Sequence, residues 1–170
     1  MKAPLLRLLL VSMLLLPALC AGARGTRGET SFGPKLGYVS RNSSATVGLV
    51  FQYSPSSVVR LSPEVGLVFR HKNLDAMTAD VNVHFPFKFA QGRGCFYPLA
   101  GVGFTSWGRH DIDEATSVDV TNHSNLFGIN LGAGVEGHVS KSLKLGVEAR
   151  YSLMRHLPTA YVTAGVAFVF

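Results

Sequence analysis

Charged side chains are scarce in this 170-residue chain: 15% of residues are Asp, Glu, Lys or Arg, against about 25% in an ordinary soluble domain. Cysteine is scarcer still, with Cys20 and Cys95 alone, and only one of the two lies beyond the N-terminal segment. After residue 23 no apolar run approaches the roughly 18 residues of a membrane-spanning helix, which excludes a polytopic helical membrane protein. No repeat unit, low-complexity linker, phosphate loop or dinucleotide fingerprint is present. Hydrophobic residues nonetheless reach 47%, which excludes intrinsic disorder, and the length accommodates one domain. The chain is apolar without helical spans and without a disulfide framework.

The first 23 residues read as a cleavable secretory signal peptide: Lys2 and Arg7 precede an apolar stretch from Leu8 to Leu16, Pro17 breaks it, and Ala21-Gly22-Ala23 offers small residues for cleavage. A membrane anchor would need about 20 apolar residues. A lipidated Cys20 would need a small residue where Leu19 stands. Removing residues 1–23 takes Lys2, Arg7 and Cys20, leaving 14 basic against 10 acidic residues and a lone Cys95 that has no partner for an intramolecular disulfide. The mild, unclustered positive charge argues against nucleic acid as a partner. Residues 24–30 read as a polar leader, and 31–170 as the folded domain.

Period-two alternation then recurs along the chain. Val59, Leu61, Pro63, Val65, Leu67 and Phe69 share one face of a strand, with Arg60, Ser62, Glu64, Gly66, Val68 and Arg70 on the other. Met77, Ala79, Val81, Val83, Phe85, Phe87 and Phe89 alternate likewise with Thr78, Asp80, Asn82, His84, Pro86 and Lys88. These alternations outlast an ordinary strand of 5–6 residues and match the roughly 9–11 residues of a tilted transmembrane strand. Further strands are expected near 31–39, 46–53, 96–107, 126–139, 143–153 and 161–170, giving eight. The facing of 96–107 is ambiguous. Connections after the even strands are short (54–57, 90–95, 140–142). Those after the odd strands are polar and include the longest, 108–125. Short periplasmic turns and longer external loops fit both termini lying in the periplasm.

A soluble barrel alternates too, so the chemistry of the faces decides. The interior of an eight-stranded barrel is just wide enough for side chains, and bulky Leu, Val, Ile and Phe from every strand would overfill it. Glycines and a balanced charge set would fit. The expected lumen network is therefore Arg60, Glu64, Asp80, Lys88, Glu136, Lys144, Glu148 and Arg150, four acids and four bases that match one another's charge. Aromatic girdles are expected from Tyr53, Phe87, Phe89, Phe96 and Phe170 at the periplasmic strand ends, and from Phe69, Trp107, Phe127, Tyr151 and Tyr161 at the external ends.

The last strand, Thr163-Ala164-Gly165-Val166-Ala167-Phe168-Val169-Phe170, resembles the β-signal of Gram-negative outer-membrane proteins at Thr163, Gly165, Phe168 and Phe170. With Gly33 to Tyr38, Phe85 to Phe89 and Tyr97 to Gly103, the domain resembles the small eight-stranded outer-membrane β-barrel family, the porin-like or PorT-like outer membrane protein β-barrel domains. The resemblance implies an all-β, antiparallel, up-and-down transmembrane barrel of the outer membrane. It also implies outer-membrane lipid and the barrel-assembly machinery as partners, a monomeric state, and a structural or interaction role exercised through external loops. The alternatives are a narrow solute conduit, an accessory barrel in protein secretion, and, more remotely, a lipid-modifying enzyme like some members of the group.

Enzymatic chemistry finds little to rest on. His123 and Ser124 are adjacent and would face opposite sides of a strand; they are read as part of a solvated loop. Asp111, Asp113, Glu114 and Asp119 lack calcium-loop spacing, and the six His are dispersed without metal spacing. Asn42-Ser43-Ser44 and Asn122-His123-Ser124 match glycosylation acceptors, but that machinery is not expected in this compartment. No catalytic residue, metal or cofactor is expected.

Overall fold

A computed structural model describes residues 27–113, 118–155 and 157–170, with the backbone alone at 110–113 and 118–121. The N-terminal residues 1–26, on which the signal-peptide reading falls, and Glu114 lie outside the described residues. The described chain forms strands β1 (Thr30–Val39), β2 (Ser44–Tyr53), β3 (Arg60–His71), β4 (Leu74–His84), β5 (Phe87–Phe89), β6 (Gly94–Asp113), β7 (Val118–Ser140), β8 (Leu143–Met154) and β9 (Thr159–Val169). Among the described residues no helix is long and apolar enough to cross a membrane.

The nine segments make eight staves. β4 and β5 are one stave interrupted at Phe85-Pro86, and both pair with β6. Pro86 has no N–H to give the ladder, whereas Phe85 still donates to the Pro98 carbonyl. Each stave is antiparallel to its neighbours, and β9 closes the ring on β1. Following the pairing once round, Thr30–Tyr53–Leu61–Val83–Ala100–Leu131–Tyr151–Ala160 returns to β1 at Ser40, a stagger of ten residues. For eight staves that stagger tilts the strands by about 40°. Closure joins the first and last staves, which is what a sheet needs where no water can reach its edges.

The barrel is inside out relative to a soluble one. Leu36, Leu49, Val65, Leu67, Val81, Val102, Ile129, Val147 and Phe168 are among its exposed large apolar residues, while Arg60, Asp80, Glu136, Lys144, Glu148 and Arg150 are buried. The phase is the expected one on β2, β3, β4, β7 and β8. On β6 it falls so that Cys95, Tyr97, Leu99, Thr105 and Trp107 point inward. This corrects the girdle in two places. Trp107 shares the phase of Tyr97 and is buried in the lumen, and Tyr161, on the phase opposite to Phe168, is buried too. Phe69, Phe89, Phe127, Tyr53, Tyr151 and Phe170 are exposed as expected.

The connections differ from expectation. At the end opposite the termini, β1–β2 is joined by Ser40–Ser43, β8–β9 by residues 155–158, and β3–β4 by Lys72-Asn73 alone. Lys72 and Asn73 both have positive φ (50° and 60°), as a two-residue hairpin turn requires. The expected loop 108–125 is instead a β-ribbon, paired from Gly94↔Gly137 out to Asp113↔Val118. Its flanking staves end earlier: β4 pairs with β6 only to Arg109, and β8 with β7 only to Gly128. The ribbon therefore stands clear of the rim, and His123 and Ser124 lie on a strand rather than in a loop. Glu29 and Thr30, in the span read as leader, are built into the barrel, with Ser54 donating to the Glu29 carbonyl and Thr30 opening β1.

Candidate functional site

The inward phase brings ionisable groups from β1, β3, β4, β7 and β8 into one lattice along the axis. At the end carrying the termini, Arg60 forms a two-pronged pair with Glu136, Nη2–Oε1 2.6 Å and Nη1–Oε2 2.8 Å. Lys144 Nζ donates to Glu29 Oε1 at 2.8 Å and to Gln52 Oε1 at 3.2 Å, and lies 3.7 Å from Glu136. Half-way along, Lys35 Nζ bridges Glu64 Oε2 at 2.8 Å and Glu148 Oε1 at 2.9 Å. Tyr97 donates its hydroxyl to Glu148 Oε2 at 3.2 Å and stacks on His84 with ring centroids 4.5 Å apart. Arg150 then binds Glu64, reaches Asp80 at 3.2 Å, and lies 4.9 Å over the Tyr161 ring. Asn130 ties Asp80 to Asn82.

Seven of the eight expected lumen charges are thus in the lattice. The eighth, Lys88, lies half-buried on β5 opposite Cys95 at the terminal end. The sequence reading missed Lys35 and Glu29. Lys35 is in phase with Gly33 and Gly37 on β1, so the period-two signal was available for it. Glu29 precedes any visible alternation. Just outside the strands, burial disfavours its charged form. The Lys144 hydrogen bond and charge, with Arg60 and His138, outweigh this and hold its carboxyl below the usual range.

Two features pack the charges. Lys35 is flanked in register by Gly48 and Gly165, and these in turn by Gly66 and Gly146. This smooth wall leaves room for the long Lys35 side chain to cross the lumen. On the facing wall, a Cβ on Gly103 would overlap Asp80 Oδ1, and one on Gly134 would overlap the Tyr97 ring. Above the lattice, Val39, Val68, Ala76, Trp107 and Tyr161 form an apolar plug inside the ribbon end, with Leu74, Leu126 and Leu157 against it. The small cavities left among the lattice side chains measure about 30 and 20 Å³, room for about a water molecule each.

Of the four β-signal positions, Thr163, Gly165 and Phe168 fall on β9 and Phe170 follows it directly, in two phases. Thr163 and Gly165 face the lumen wall, and Phe168 and Phe170 are exposed on the apolar side at 55% and 73%. Of the acidic cluster, Asp111, Asp113 and Asp119 belong to ribbon strands described by backbone alone. Among the described residues no three His, Cys, Asp or Glu side chains are grouped to hold a metal ion.

The architecture defines the class: a closed, eight-stave antiparallel transmembrane β-barrel of the small outer-membrane type. Solved structures share it. The N-terminal β-barrel domain of OprF from Pseudomonas aeruginosa superposes with a TM-score of 0.64 at 14% identity, covering 85% of this chain and 98% of that one. Neisserial surface protein A gives 0.65 at 13%, covering 84% and 96%. Ail, the attachment invasion locus protein of Yersinia pestis, gives 0.61 at 14%, covering 85% and 100%. At such identities the likeness is one of fold. No known family model matches the chain, and no curated protein matches it.

Proposed function

We propose that this is a monomeric outer-membrane protein whose barrel is a closed anchor and whose working surface is the ribbon and the rim around it. The observation that carries this reading is the filled lumen. Five acids meet four bases along the axis, and an apolar plug of Val39, Val68, Ala76, Trp107 and Tyr161 lies at the ribbon end. A hydrated solute would have to break buried ion pairs, each costly to leave half-made, and wet an apolar constriction. Ail, a neighbour in fold, has been crystallised with the heparin analogue sucrose octasulfate, which supports an outward-facing interaction role for barrels of this shape. Residues 1–23 would direct export. Thr163, Gly165, Phe168 and Phe170 would present β9 to the barrel-assembly machinery, its exposed aromatics giving the recognised stripe. The ribbon end would be external, because it projects from the end opposite both termini. The reading is non-enzymatic: His123 and Ser124 lie on opposite sides of an exposed strand, where neither can serve as the other's base. Planar-bilayer recording tests it. The expected result is no conductance above the lipid background from protein recovered in the outer-membrane fraction. Steady single-channel currents would instead establish a conduit.

A further inference from the structure

The lumen's charges answer one another, whereas among the described side chains of the ribbon-end rim the bases outnumber the acids; Asp111, Asp113 and Asp119 stand further out on the ribbon. The rim exposes Arg41, Arg70, Lys72, Arg109 and Arg155, with Asp75 as the described carboxylate among them. Two of these cations lie by Trp107. Arg41, in the β1–β2 turn, places its guanidinium 5.5 Å from the centre of the Trp107 ring. Arg109 follows Trp107 by two residues on β6, where the ribbon leaves the barrel. Partial burial, and next the charge of Arg109, lower the Arg41 pKa. Neither guanidinium belongs to the lumen lattice. Beneath them the buried Trp107 indole N–H has no acceptor.

The two guanidiniums and the indole of Trp107 are all donors. Each guanidinium offers five N–H groups in a planar fork, and indole offers one. Forks of this shape match the oxygens of phosphate and sulfate better than a point charge does. The apolar plug below excludes water from one side, which weakens screening of the paired positive charges. Repulsion between two adjacent cations is relieved when an anion binds between them.

We propose that Arg41 and Arg109, set over Trp107 at the mouth of the barrel, form a binding site for phosphate or sulfate ester groups. Such groups can arrive on a soluble polyanion or on a lipid headgroup, and the chemistry of recognition is the same. The reading needs the barrel and its plug, and is independent of whether the lumen conducts.

Trp107 is the only tryptophan in the chain, so its fluorescence reports on the site directly. The full-length protein, purified in detergent and shown to be folded by its heat-modifiable gel mobility, is titrated with inositol hexakisphosphate. The expected result is a saturable change in Trp107 emission whose midpoint moves to higher ligand as salt is raised. The double variant Arg41→Gln and Arg109→Gln should weaken binding at least about tenfold. The control pair Arg27→Gln and Arg93→Gln, exposed at the other rim, should leave it within about twofold. Arg41→Lys, which keeps the charge and loses the fork, should fall between. Vesicles of phosphatidylcholine alone or with phosphatidylglycerol distinguish the sources. An emission change on adding phosphatidylglycerol, without a response to the soluble probe, assigns the site to lipid headgroups. A response to the soluble probe in phosphatidylcholine assigns it to free polyanions. No saturable change with either probe, or equal affinity in the folded double variant, would overturn the proposal.

Discussion

Glu148 holds Lys35 through one oxygen and the Tyr97 hydroxyl through the other. Lys144 and Arg150, its near neighbours on β8, are held elsewhere, by Glu29 and by Glu64 with Asp80. Sequence proximity along a strand therefore misleads about partners in the lumen, because pairing runs across the ring. Glu148→Leu should leave Lys35 with half its partners, and breaking a buried pair costs about 3–5 kcal/mol. Adding Lys35→Met should restore part of that loss. Urea unfolding midpoints in lipid vesicles measure both. An unchanged midpoint for Glu148→Leu would show the group to be solvated. Glu29 supplies the pH-dependent counterpart. Its carboxyl is held below the ordinary 4.5 by Lys144, against the opposing effect of burial. A depressed carboxylate contributes stability that is fully present above its unfolded pKa and is lost as pH falls through the lower folded value. The gap in midpoint between the native protein and Glu29→Gln should thus be constant at neutral pH and shrink below about pH 4.5. A gap independent of pH would exclude ionic pairing at that end.

At the scale of strands, the alternation in β3, β4, β7 and β8 was readable because one face is bulky and apolar while the other is charged or glycine. β6 was not readable, since Phe96, Leu99, Val102, Phe104 and Trp107 place apolar residues on both faces. Only the register with β4 and β7 settles that Tyr97, Leu99 and Trp107 point inward. The ribbon was hidden for a different reason. Its residues from Gly108 to Asn125 are mostly polar, and Ile112, Ala115, Val118 and Val120 are too sparse among them to mark a hydrophobic period. The facing itself is testable on β4. Val81 is half-exposed on the outside at 51%, and Asn82 is buried beside it. Val81→Arg should cost about 2–4 kcal/mol in a bilayer if the position is near the midplane, with little effect in short-chain detergent, where the arginine can reach water. Equal midpoints for the two proteins in vesicles would place Val81 away from lipid.

For the whole molecule, the number of staves and their order were legible, because an up-and-down barrel needs nothing beyond consecutive hairpins. The long-range pairs that fill the lumen, such as Lys35 with Glu148 and Arg60 with Glu136, were not. They depend on the ten-residue stagger, which brings residues of distant strands to one height and leaves no local trace. The plug was equally hidden, because Val39, Val68, Ala76, Trp107 and Tyr161 come from five different strands, one residue from each.

The inverted interior also reverses which substitutions the chain can absorb. Outside, Leu, Val, Ile and Phe face a fluid solvent that has no fixed shape, so one can replace another with little consequence. Inside, each lysine or glutamate is fitted by length and charge to groups on two or three other strands, and no single change keeps the fit. Related sequences should therefore drift apart along the greasy face while their acids and bases change in matched sets, so that ancestry is recorded in the polar residues and erased from the apolar ones.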